Sequence, residues 1–279
     1  MGMLDNKVAL ITGGGRGMGR AHAVAMAAEG ANIVICDIDG QDDVIPYPMN
    51  SPEDLSETVA LVEKQDRRCL AKIADVRDLS AMEAVVDAAV SEFGSVDVLV
   101  ANAGVFAASP IVDQTAQEWA TVVDTVLGGV FNSIKAVAPQ MIARGSGRII
   151  ATSSGLGRHG TPNMGSYTAA KWGVIGLAKS AAKELGPHGI TVNVLNPGLV
   201  DTGIIRNDHL RKLWCPELEN PTDADVDAKV LSLGLHHMPI GTLPPEEVAK
   251  AAVFLASDQA RYVSGGTLDV GAGYAANHT

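Results

Sequence analysis

The chain has 279 residues, of which 47% are apolar and 19% are charged, so it can bury a large core and lacks the composition of a disordered protein. Its formal net charge of −11 argues against binding to nucleic acid or to an anionic membrane surface, since both need a basic face. Three cysteines without a CxxC pair, and no secretory leader or long apolar run, predict a cytoplasmic protein with reduced thiols and no membrane span.

Short β-branched segments alternate with alanine-rich helical segments along the whole chain. This alternation predicts parallel strands joined by right-handed helical crossovers. The strand segments are apolar on both faces, as expected for a sheet that helices cover on both sides. We therefore predict an α/β fold, in which residues 1–279 form a single Rossmann-type domain with a doubly wound parallel sheet of about seven strands. The predicted strands are Val8–Ile11, Asn32–Cys36, Cys69–Ala74, Val96–Ala101, Arg148–Thr152, Thr191–Leu195 and Thr267–Val270, and the predicted helices are Gly19–Glu29, Pro52–Gln65, Ser80–Phe93, Ala116–Ile142, Tyr167–Leu185 and Pro245–Ser257.

A glycine-rich turn with the sequence TGGGRGMG joins the first strand to the first helix. Residues 12–19 give the spacing T-G-x-x-x-G-x-G. Glycines at such a turn let the backbone approach a pyrophosphate, whose charge then lies at the helix N-terminus. Taken alone, the segment also fits a plain tight turn. The predicted cofactor contacts in it are Gly13, Arg16, Gly17, Met18 and Gly19.

Asp37 ends the second predicted strand, twenty residues after Gly17. A carboxylate at this distance can accept hydrogen bonds from the adenosine ribose and repel a 2′-phosphate, which favours NAD over NADP as the cofactor. Arg16 in the glycine turn would offset part of that repulsion. Further predicted cofactor contacts follow the third and fourth strands, where ligands bind in open α/β sheets, and these are Asp75, Val76, Asn102, Ala103 and Gly104.

Two segments interrupt the alternation of strands and helices, at residues 38–54 and 203–242. The first lengthens the second crossover well beyond the usual loop of about 2–6 residues. For this insertion, a loop that binds near the cofactor and a simple surface excursion fit equally well. For residues 203–242 we favour a lid over the substrate pocket, because the segment follows directly on residues expected beside the reacting atoms.

Tyr167 and Lys171 lie four residues apart and therefore share one face of a predicted helix. A free tyrosine has a pKa of about 10, and an adjacent ammonium group would lower that pKa by favouring the phenolate. Tyr167 could then act as an acid or a base near neutral pH. Ser154, thirteen residues upstream, could bind the substrate oxygen, with Ser153 as the competing candidate. The predicted catalytic residues are Ser154, Tyr167 and Lys171, and the last two are also predicted to contact the cofactor.

The sequence NPGLVDT follows the sixth strand and suits the carboxamide of a nicotinamide, through a backbone turn and a hydroxyl. The predicted contacts in it are Pro197, Gly198, Val200 and Thr202. The pair His236 and His237 brings no converging ligands, so no metal site is predicted. Met164 and Trp214 fit a pocket wall or the core about equally well. The remaining histidine and cysteine candidates are assigned packing or loop roles, and these are His22, His159 and Cys215.

In their order and placement at strand ends, these motifs resemble the short-chain dehydrogenase/reductase family along the whole chain. The matching positions are Thr12–Gly19, Asp37, Asp75, Asn102–Gly104, Ser154, Tyr167, Lys171 and Pro197–Thr202. The resemblance implies a Rossmann fold, hydride transfer between nicotinamide C4 and a carbinol carbon, and a homotetramer. It also implies that Tyr167 exchanges the substrate proton, that Lys171 binds the nicotinamide ribose, and that Ser154 orients the substrate oxygen.

A narrower resemblance comes from the insertion and from the end of the chain. The sequences IPYPMNSPEDLSETVALVE and FLASDQARYVSGGTLDVGAGY, with Arg67 and Arg68, are similar to the carveol-dehydrogenase-like, mycofactocin-coupled branch of the family in actinobacteria. That branch implies NAD that is held tightly and reoxidised by mycofactocin. It also implies a small hydrophobic alcohol or ketone as substrate, such as the terpenoid carveol. An extra loop beside the adenosine would slow release of the nucleotide.

One position departs from the family pattern. The sequence DTVLGGVFN places Val126 where the family usually has an asparagine that kinks the helix and holds a water of the proton relay. Valine cannot form that hydrogen bond, and Asn132 lies too far along the helix to replace it. Two alternatives therefore stay open beside the alcohol dehydrogenase: a carbonyl reductase with exchangeable NAD(P)H, and a nucleotide-binding sensor with impaired catalysis.

Overall fold

The computed structural model describes residues 2–277 and places seven strands within them in one sheet. The strands are β1 (Val8–Thr12), β2 (Asn32–Asp37), β3 (Cys69–Ile73), β4 (Val98–Ala101), β5 (Gly147–Thr152), β6 (Ile190–Pro197) and β7 (Thr267–Val270). Their order across the sheet is β3-β2-β1-β4-β5-β6-β7, and all neighbouring pairs are parallel. Winding reverses direction between β1 and β4, so the sheet is doubly wound and the predicted fold class is confirmed.

Helices connect the strands and cover both faces of the sheet. They are α1 (Gly17–Ala28), α2 (Pro52–Glu63), α3 (Leu79–Phe93), α4 (Ala116–Val123), α5 (Gly129–Arg144), α6 (Gly165–Leu185), α7 (Asp208–Trp214), α8 (Asp223–Ser232) and α9 (Pro245–Ala256). The sequence did not predict α7 and α8, which lie in the segment read as irregular. Both are short helices that side chains cap: Asn207 accepts a hydrogen bond from the Leu210 amide, and Thr222 forms a capping box with Asp225.

The core is divided between the two faces of the sheet, as the apolar strands require. In β1, Val8 and Leu10 pack on the side of α3, α5 and α6, whereas Ala9 and Ile11 pack on the side of α1, α2 and α9. Every residue of β1, β4 and β6 is buried. Packing on both faces therefore holds these strands in place. Polar groups that could bind a ligand lie at the ends of the strands.

A π-helical turn at Asp124–Gly128 joins α4 to α5 into one helix, Ala116–Arg144. This helix has 29 residues and an 18-residue window of mean hydropathy 1.2, which is long and apolar enough to cross a membrane. Polar residues such as Asp124, Asn132 and Lys135 interrupt the helix, so it is not a continuous run of 18 apolar residues. Half of that window is buried inside the fold, where Val130, Ile134 and Val137 join the core. This burial is the behaviour of a core helix.

The buried His22 on α1 makes the stability of the fold sensitive to acid. Its side chain is 0% exposed, and neither ring nitrogen has a hydrogen-bond partner among residues 2–277. Burial lowers the pKa of His22 to about 4, whereas the pKa of a histidine in the unfolded chain is about 6.5. The neutral ring is thus the folded form, so the stability it contributes is fully present above about pH 6.5 and is lost as pH falls toward about 4.

We expect the free energy of unfolding to fall by about 2 kcal/mol between pH 7 and pH 5 because of this group alone. Replacing His22 with leucine should remove that pH-dependent part, as measured by urea unfolding at the two pH values. The exposed His188, replaced by glutamine, serves as the control. Equal pH dependence in the native protein and in His22→Leu would contradict this account.

Candidate active site

Two adjoining cavities open at the carboxyl ends of β1, β4, β5 and β6. The first is lined by the glycine turn and by the ends of β2, β3 and β4. The second has a volume of about 520 Å³ and is mostly apolar. Met18, Asn102, Gly104 and Thr202 line both, so the two form one continuous cleft. Every predicted site residue lines one or both cavities; those that line only the second are Ser154, Tyr167, Lys171, Pro197, Gly198 and Val200.

The turn before α1 is so tight that glycine is required at several of its positions. Gly13 and Gly17 have left-handed φ angles of +66° and +53°, and a Cβ on Gly13 would lie 2.8 Å from the Ala103 Cα atom. A Cβ on Gly19 would lie 1.8 Å from the Gly13 carbonyl oxygen. At the start of α1, no side chain caps the first amide groups. This arrangement fits the pyrophosphate of a dinucleotide.

Asp37 is held at the edge of the first cavity by two backbone amides. Its Oδ2 atom accepts a hydrogen bond from the Gly15 amide, and its Oδ1 atom accepts one from the Ile38 amide, both at 2.9 Å. Burial raises the pKa of Asp37, and the two amide hydrogen bonds act in the opposite direction. The carboxylate is therefore oriented before any ligand binds.

The insertion at residues 38–54 folds over the first cavity. Asp42, Tyr47, Met49 and Asn50 all line it. Two contacts tie the insertion to the cavity rim: the Arg16 guanidinium donates to the Pro48 carbonyl, and Arg77 Nη1 lies 3.1 Å from Asp42 Oδ2. Of the two interpretations left open by the sequence, this geometry favours the loop that binds near the cofactor.

Ser153 and Ser154 face different partners. The Ser153 hydroxyl is buried and donates to the Lys171 carbonyl at 2.8 Å, so it anchors α6 to the end of β5. Ser154 lies next to the cavity and hydrogen-bonds with the Tyr167 hydroxyl, which lowers the pKa of Tyr167. Of the two candidates, Ser154 is therefore the one placed to meet a substrate oxygen together with Tyr167.

Tyr167 and Lys171 share one face of α6, but their electrostatics differ from the expectation. The Lys171 Nζ atom is 5.4 Å from the centre of the Tyr167 ring and donates to the Thr152 carbonyl at 2.8 Å. Burial raises the pKa of Tyr167 to about 12 and lowers that of Lys171 to about 7. The predicted lowering of the tyrosine pKa by the ammonium group was wrong for the protein alone, because desolvation disfavours both charges.

Val126 lies buried in the π-helical turn, next to Gly104, which lines both cavities. A Cβ on Gly104 would be 3.6 Å from the Val126 Cγ2 atom and 3.9 Å from Lys171 Nζ, so both side chains face Gly104. The helix is bent into a π turn there although the residue is valine. Asn132 donates to the Val76 and Arg77 carbonyls at 2.9 and 3.0 Å. It therefore fixes the loop after β3 and does not take over the position.

Residues 203–242 cover the second cavity and are anchored by the side chains of Arg206 and His236. Arg206 pairs with Asp201 at 2.8 Å and with Asp227 at 3.1 Å. The ring of His236 is buried, and its Nε2 atom accepts a hydrogen bond from the Leu199 amide. His236 is thus a structural tie between this segment and the turn after β6. The cavity wall that the segment supplies consists of Gly203 on the cofactor side, and Ile204, Ile205, Leu210, Trp214, Leu233, Gly234 and Leu235.

The remaining candidates fall as follows. Met164 lines the second cavity, in agreement with one of the two interpretations. His159 also lines this cavity, and its Nε2 atom lies 2.6 Å from the Tyr274 hydroxyl. It therefore borders the candidate substrate site, which the predicted loop role did not include. Cys215 is buried, and burial raises the pKa of its thiol. Within residues 2–277, no group of three or more His, Cys, Asp or Glu side chains is arranged to hold a metal ion.

Comparison with known proteins gives consistent matches over nearly the whole chain. The family model described as short chain dehydrogenase matches residues 7–212. The (−)-trans-carveol dehydrogenase of Rhodococcus erythropolis is 39% identical over 98% of this chain and 99% of its own length. The crystal structure of carveol dehydrogenase from Mycobacterium avium in complex with NAD has a TM-score of 0.95 and 42% identity, covering 98% of this chain and 99% of that one. A short chain dehydrogenase from Mycobacterium paratuberculosis bound to NAD has a TM-score of 0.87 and 40% identity, with the same coverage.

Proposed function

The chain belongs to the short-chain dehydrogenase family, and from that premise we propose that it is an NAD-dependent oxidoreductase acting on a secondary alcohol or the matching ketone. The observation that carries the proposal is the meeting of Ser154, Tyr167 and Lys171 on the wall of the second cavity, where it joins the glycine-lined first cavity. Such a cleft can bring a carbinol carbon beside a nicotinamide ring.

The cofactor that suits the first cavity is NAD. Similar proteins have been solved with NAD bound, and Asp37 is oriented to accept hydrogen bonds from ribose hydroxyls. The α1 N-terminus, with Gly13, Gly17 and Gly19, would hold the pyrophosphate. Asp75 and Val76 would lie beside the adenine, and Asn102, Ala103 and Gly104 beside the nicotinamide ribose. The turn at Pro197, Gly198 and Val200, with Thr202, would hold the carboxamide.

In the oxidation direction, the Ser154 hydroxyl would hydrogen-bond the substrate oxygen while Tyr167 takes its proton. The Ser154 hydrogen bond lowers the pKa of Tyr167, against the effect of burial. NAD, when bound, supplies the hydride acceptor and a positive charge on its oxidised ring, which favours the tyrosine phenolate. Lys171 holds α6 against the end of β5 through Thr152. With NAD bound, it would contact the nicotinamide ribose. In ketone reduction, the same residues return the proton.

The second cavity indicates a hydrophobic substrate. The nicotinamide would occupy part of its volume of about 520 Å³, and the remaining space with its apolar wall suits a compact ring compound rather than a sugar or an acid. A terpenoid alcohol such as carveol has that chemistry, and a relative that acts on carveol shares 39% identity with this chain. We therefore place carveol and related cyclic secondary alcohols first among the substrates to be tried.

The insertion supports NAD that is held tightly and is reoxidised in place, with mycofactocin as the proposed electron acceptor. The Arg77–Asp42 ion pair and the Arg16–Pro48 hydrogen bond close the loop over the adenosine end of the cleft. These contacts would have to break before bound NAD could leave the cleft, which would slow its release. The alternative is a carbonyl reductase whose NAD(P)H exchanges with solution, and it would be supported by free exchange.

We expect Arg77→Ala to release bound NAD about tenfold faster than the native protein. The change removes the ion pair to Asp42, together with a second ion pair from Arg77 to Asp75 at 2.7 Å. Stopped-flow chase of bound NAD by an excess of labelled NAD measures the rate. Lys250→Ala breaks an exposed ion pair to Glu247 far from the cleft and is the matched control. Equal release rates in the native protein and Arg77→Ala would argue against a closing role for the insertion.

A homotetramer is also part of the proposal. Trp119 on α4, Phe131 on α5 and Trp172 on α6 are large side chains exposed by 45%, 47% and 51%. Exposed aromatic side chains on a helical face are typical of a surface that another subunit covers. Light scattering coupled to size-exclusion chromatography would give the number of chains, and a monomer would refute the assignment.

The test of the function uses protein purified without added nucleotide. Mass spectrometry of the released ligand should identify NAD, and cyclic secondary alcohols with an artificial electron acceptor should give turnover. If the ligand is NAD but no alcohol reduces it, and no ketone oxidises NADH, the oxidoreductase proposal fails and a nucleotide-binding sensor takes its place.

A further inference from the structure

Tyr47 occupies an unusual place for an aromatic residue in a polar insertion. The segment around it, DDVIPYPMNSPED, is rich in acidic and turn-forming residues, yet Tyr47 is only 4% exposed. Its side chain enters the apolar cluster on the α3, α5 and α6 side of the sheet. Gln41 fixes its backbone from within the insertion, because the Gln41 side-chain amide donates to the Tyr47 carbonyl at 3.1 Å. The burial places a hydroxyl group deep in the cleft.

That hydroxyl holds the loop that follows β4. The Phe106 amide donates a hydrogen bond to the Tyr47 hydroxyl oxygen at 2.8 Å, and both residues are buried. The two residues are 59 positions apart in the chain. A buried amide without an acceptor destabilises the fold, so this bond strongly favours one position of the loop. The position of Phe106 therefore depends on the seating of the insertion.

Phe106 in turn contacts the proposed acid and base. Its ring meets the Tyr167 ring edge to face, with centroids 5.2 Å apart and an interplanar angle of 75°. Such pairs have a preferred geometry and resist rotation of either ring. Two further restraints on Tyr167 are the Ser154 hydrogen bond and Lys171 over its ring. Of these three restraints, only the contact with Phe106 leads back to the insertion.

We propose that Tyr47 is a positioning residue for Tyr167, which it reaches through Phe106, so that seating of the insertion over the cofactor cavity also sets the orientation of the proton-transferring group. Tyr47 lines the cofactor cavity, and Phe106 lines the substrate cavity. The insertion would thus cover the nucleotide and also restrain Tyr167 in the second cavity through Phe106. This inference rests on the proposed function for its kinetic part, but not for its spectroscopic part.

The kinetic test compares Tyr47→Phe with the native enzyme, using NAD and the cyclic secondary alcohol that is oxidised fastest. The variant keeps the ring and removes only the hydrogen-bond acceptor for the Phe106 amide. We expect kcat at the high-pH plateau, where Tyr167 is ionised in both enzymes, to fall about tenfold. The KM values for alcohol and NAD should stay within about twofold, and the rise of kcat with pH should shift to lower pH. The shift follows because a looser Phe106 exposes Tyr167 to water, which favours the phenolate.

Two further variants bracket the effect of Tyr47→Phe. Gln41→Ala loosens the insertion while the Tyr47 hydroxyl stays, so it should speed NAD release and lower kcat by a smaller factor than Tyr47→Phe does. Tyr262 is 86% exposed, and Tyr262→Phe should change neither. If Tyr47→Phe only lowers the free energy of unfolding, with kcat and its pH profile unchanged, then Tyr47 has a structural role alone and the inference is overturned.

A second measurement does not depend on any turnover. Ultraviolet titration of tyrosinate, as the difference between each protein and its Tyr167→Phe counterpart, reports the pKa of Tyr167. In the native protein burial raises this pKa to about 12, and in the Tyr47→Phe background it should move back toward about 10. An unchanged value would overturn the inference even if the enzyme proved active. A lowered value in a protein that oxidises no alcohol would support the mechanical link and count against the proposed function.

Discussion

Replacing Tyr167 with phenylalanine is expected to lower kcat for secondary-alcohol oxidation by about 10²–10⁴-fold, the range that loss of a positioned acid or base produces. The substitution removes only the hydroxyl group. Edge-to-face packing on Phe106 and the position of Lys171 over the ring depend on the ring and not on that hydroxyl. NAD affinity and the free energy of unfolding should therefore stay close to the native values, so the loss would lie in the chemical step.

The pH dependence supplies a sharper form of the same prediction. Burial raises the pKa of Tyr167 to about 12, so the protonated phenol dominates at neutral pH in the protein alone. Oxidation needs the phenolate, and kcat should rise with pH as its fraction grows. In Tyr167→Phe the residual rate should not follow that rise. A variant that keeps more than about a tenth of the native kcat, with the same pH profile, would remove Tyr167 from the mechanism.

Replacing Asp37 with asparagine is expected to weaken NAD binding by about 10–100-fold and to improve NADP binding relative to NAD by more than that. Hydrogen bonds to a charged group are worth about 1.5–3 kcal/mol, and the carboxylate can accept from ribose hydroxyls. The same charge repels a 2′-phosphate. Arg16 lies close enough to Asp37 to lower its pKa by charge interaction, so it could attract that phosphate once the carboxylate is gone.

Isothermal titration of both nucleotides into the nucleotide-free protein measures this change directly. Asparagine keeps the size of the side chain, but it can serve only one of the Gly15 and Ile38 amides as an acceptor. A decrease in affinity for both nucleotides by the same factor would therefore mean damage to the turn. The double variant with Arg16→Ala should lose the gain in NADP binding. If Asp37→Asn still prefers NAD over NADP by the native ratio, then Asp37 does not select between the two nucleotides.

The strands and the location of the cleft could be predicted from the sequence because they follow from patterns among residues close together in the chain. Alternating β-branched and alanine-rich segments predicted the parallel sheet. Ligand-binding groups in such a sheet lie at the carboxyl ends of its strands. The glycine turn, Asp37 and the pair Tyr167 and Lys171 are all local patterns. For that reason the residues predicted from them line a common cleft in the structure.

What the sequence did not reveal depends on contacts between distant segments or on burial. The Tyr47–Phe106 hydrogen bond joins two loops, and neither loop has a pattern that points to the other. The pKa values of Tyr167 and Lys171 depend on how deeply α6 sits in the fold, so spacing alone gave the wrong direction. The short helices α7 and α8 hold too few turns for a periodic pattern and are defined by their caps.

The central claim is that this cleft moves hydride from a carbinol carbon to nicotinamide with help from Tyr167. The most direct measurement uses carveol or a related cyclic secondary alcohol carrying deuterium at the carbinol carbon, one turnover on the NAD-loaded protein, and mass spectrometry of the released nucleotide. We predict one deuterium on the nicotinamide ring with the native protein and almost none with Tyr167→Phe in the same time. Unlabelled nucleotide from every alcohol tried, or equal labelling by both proteins, would contradict the account.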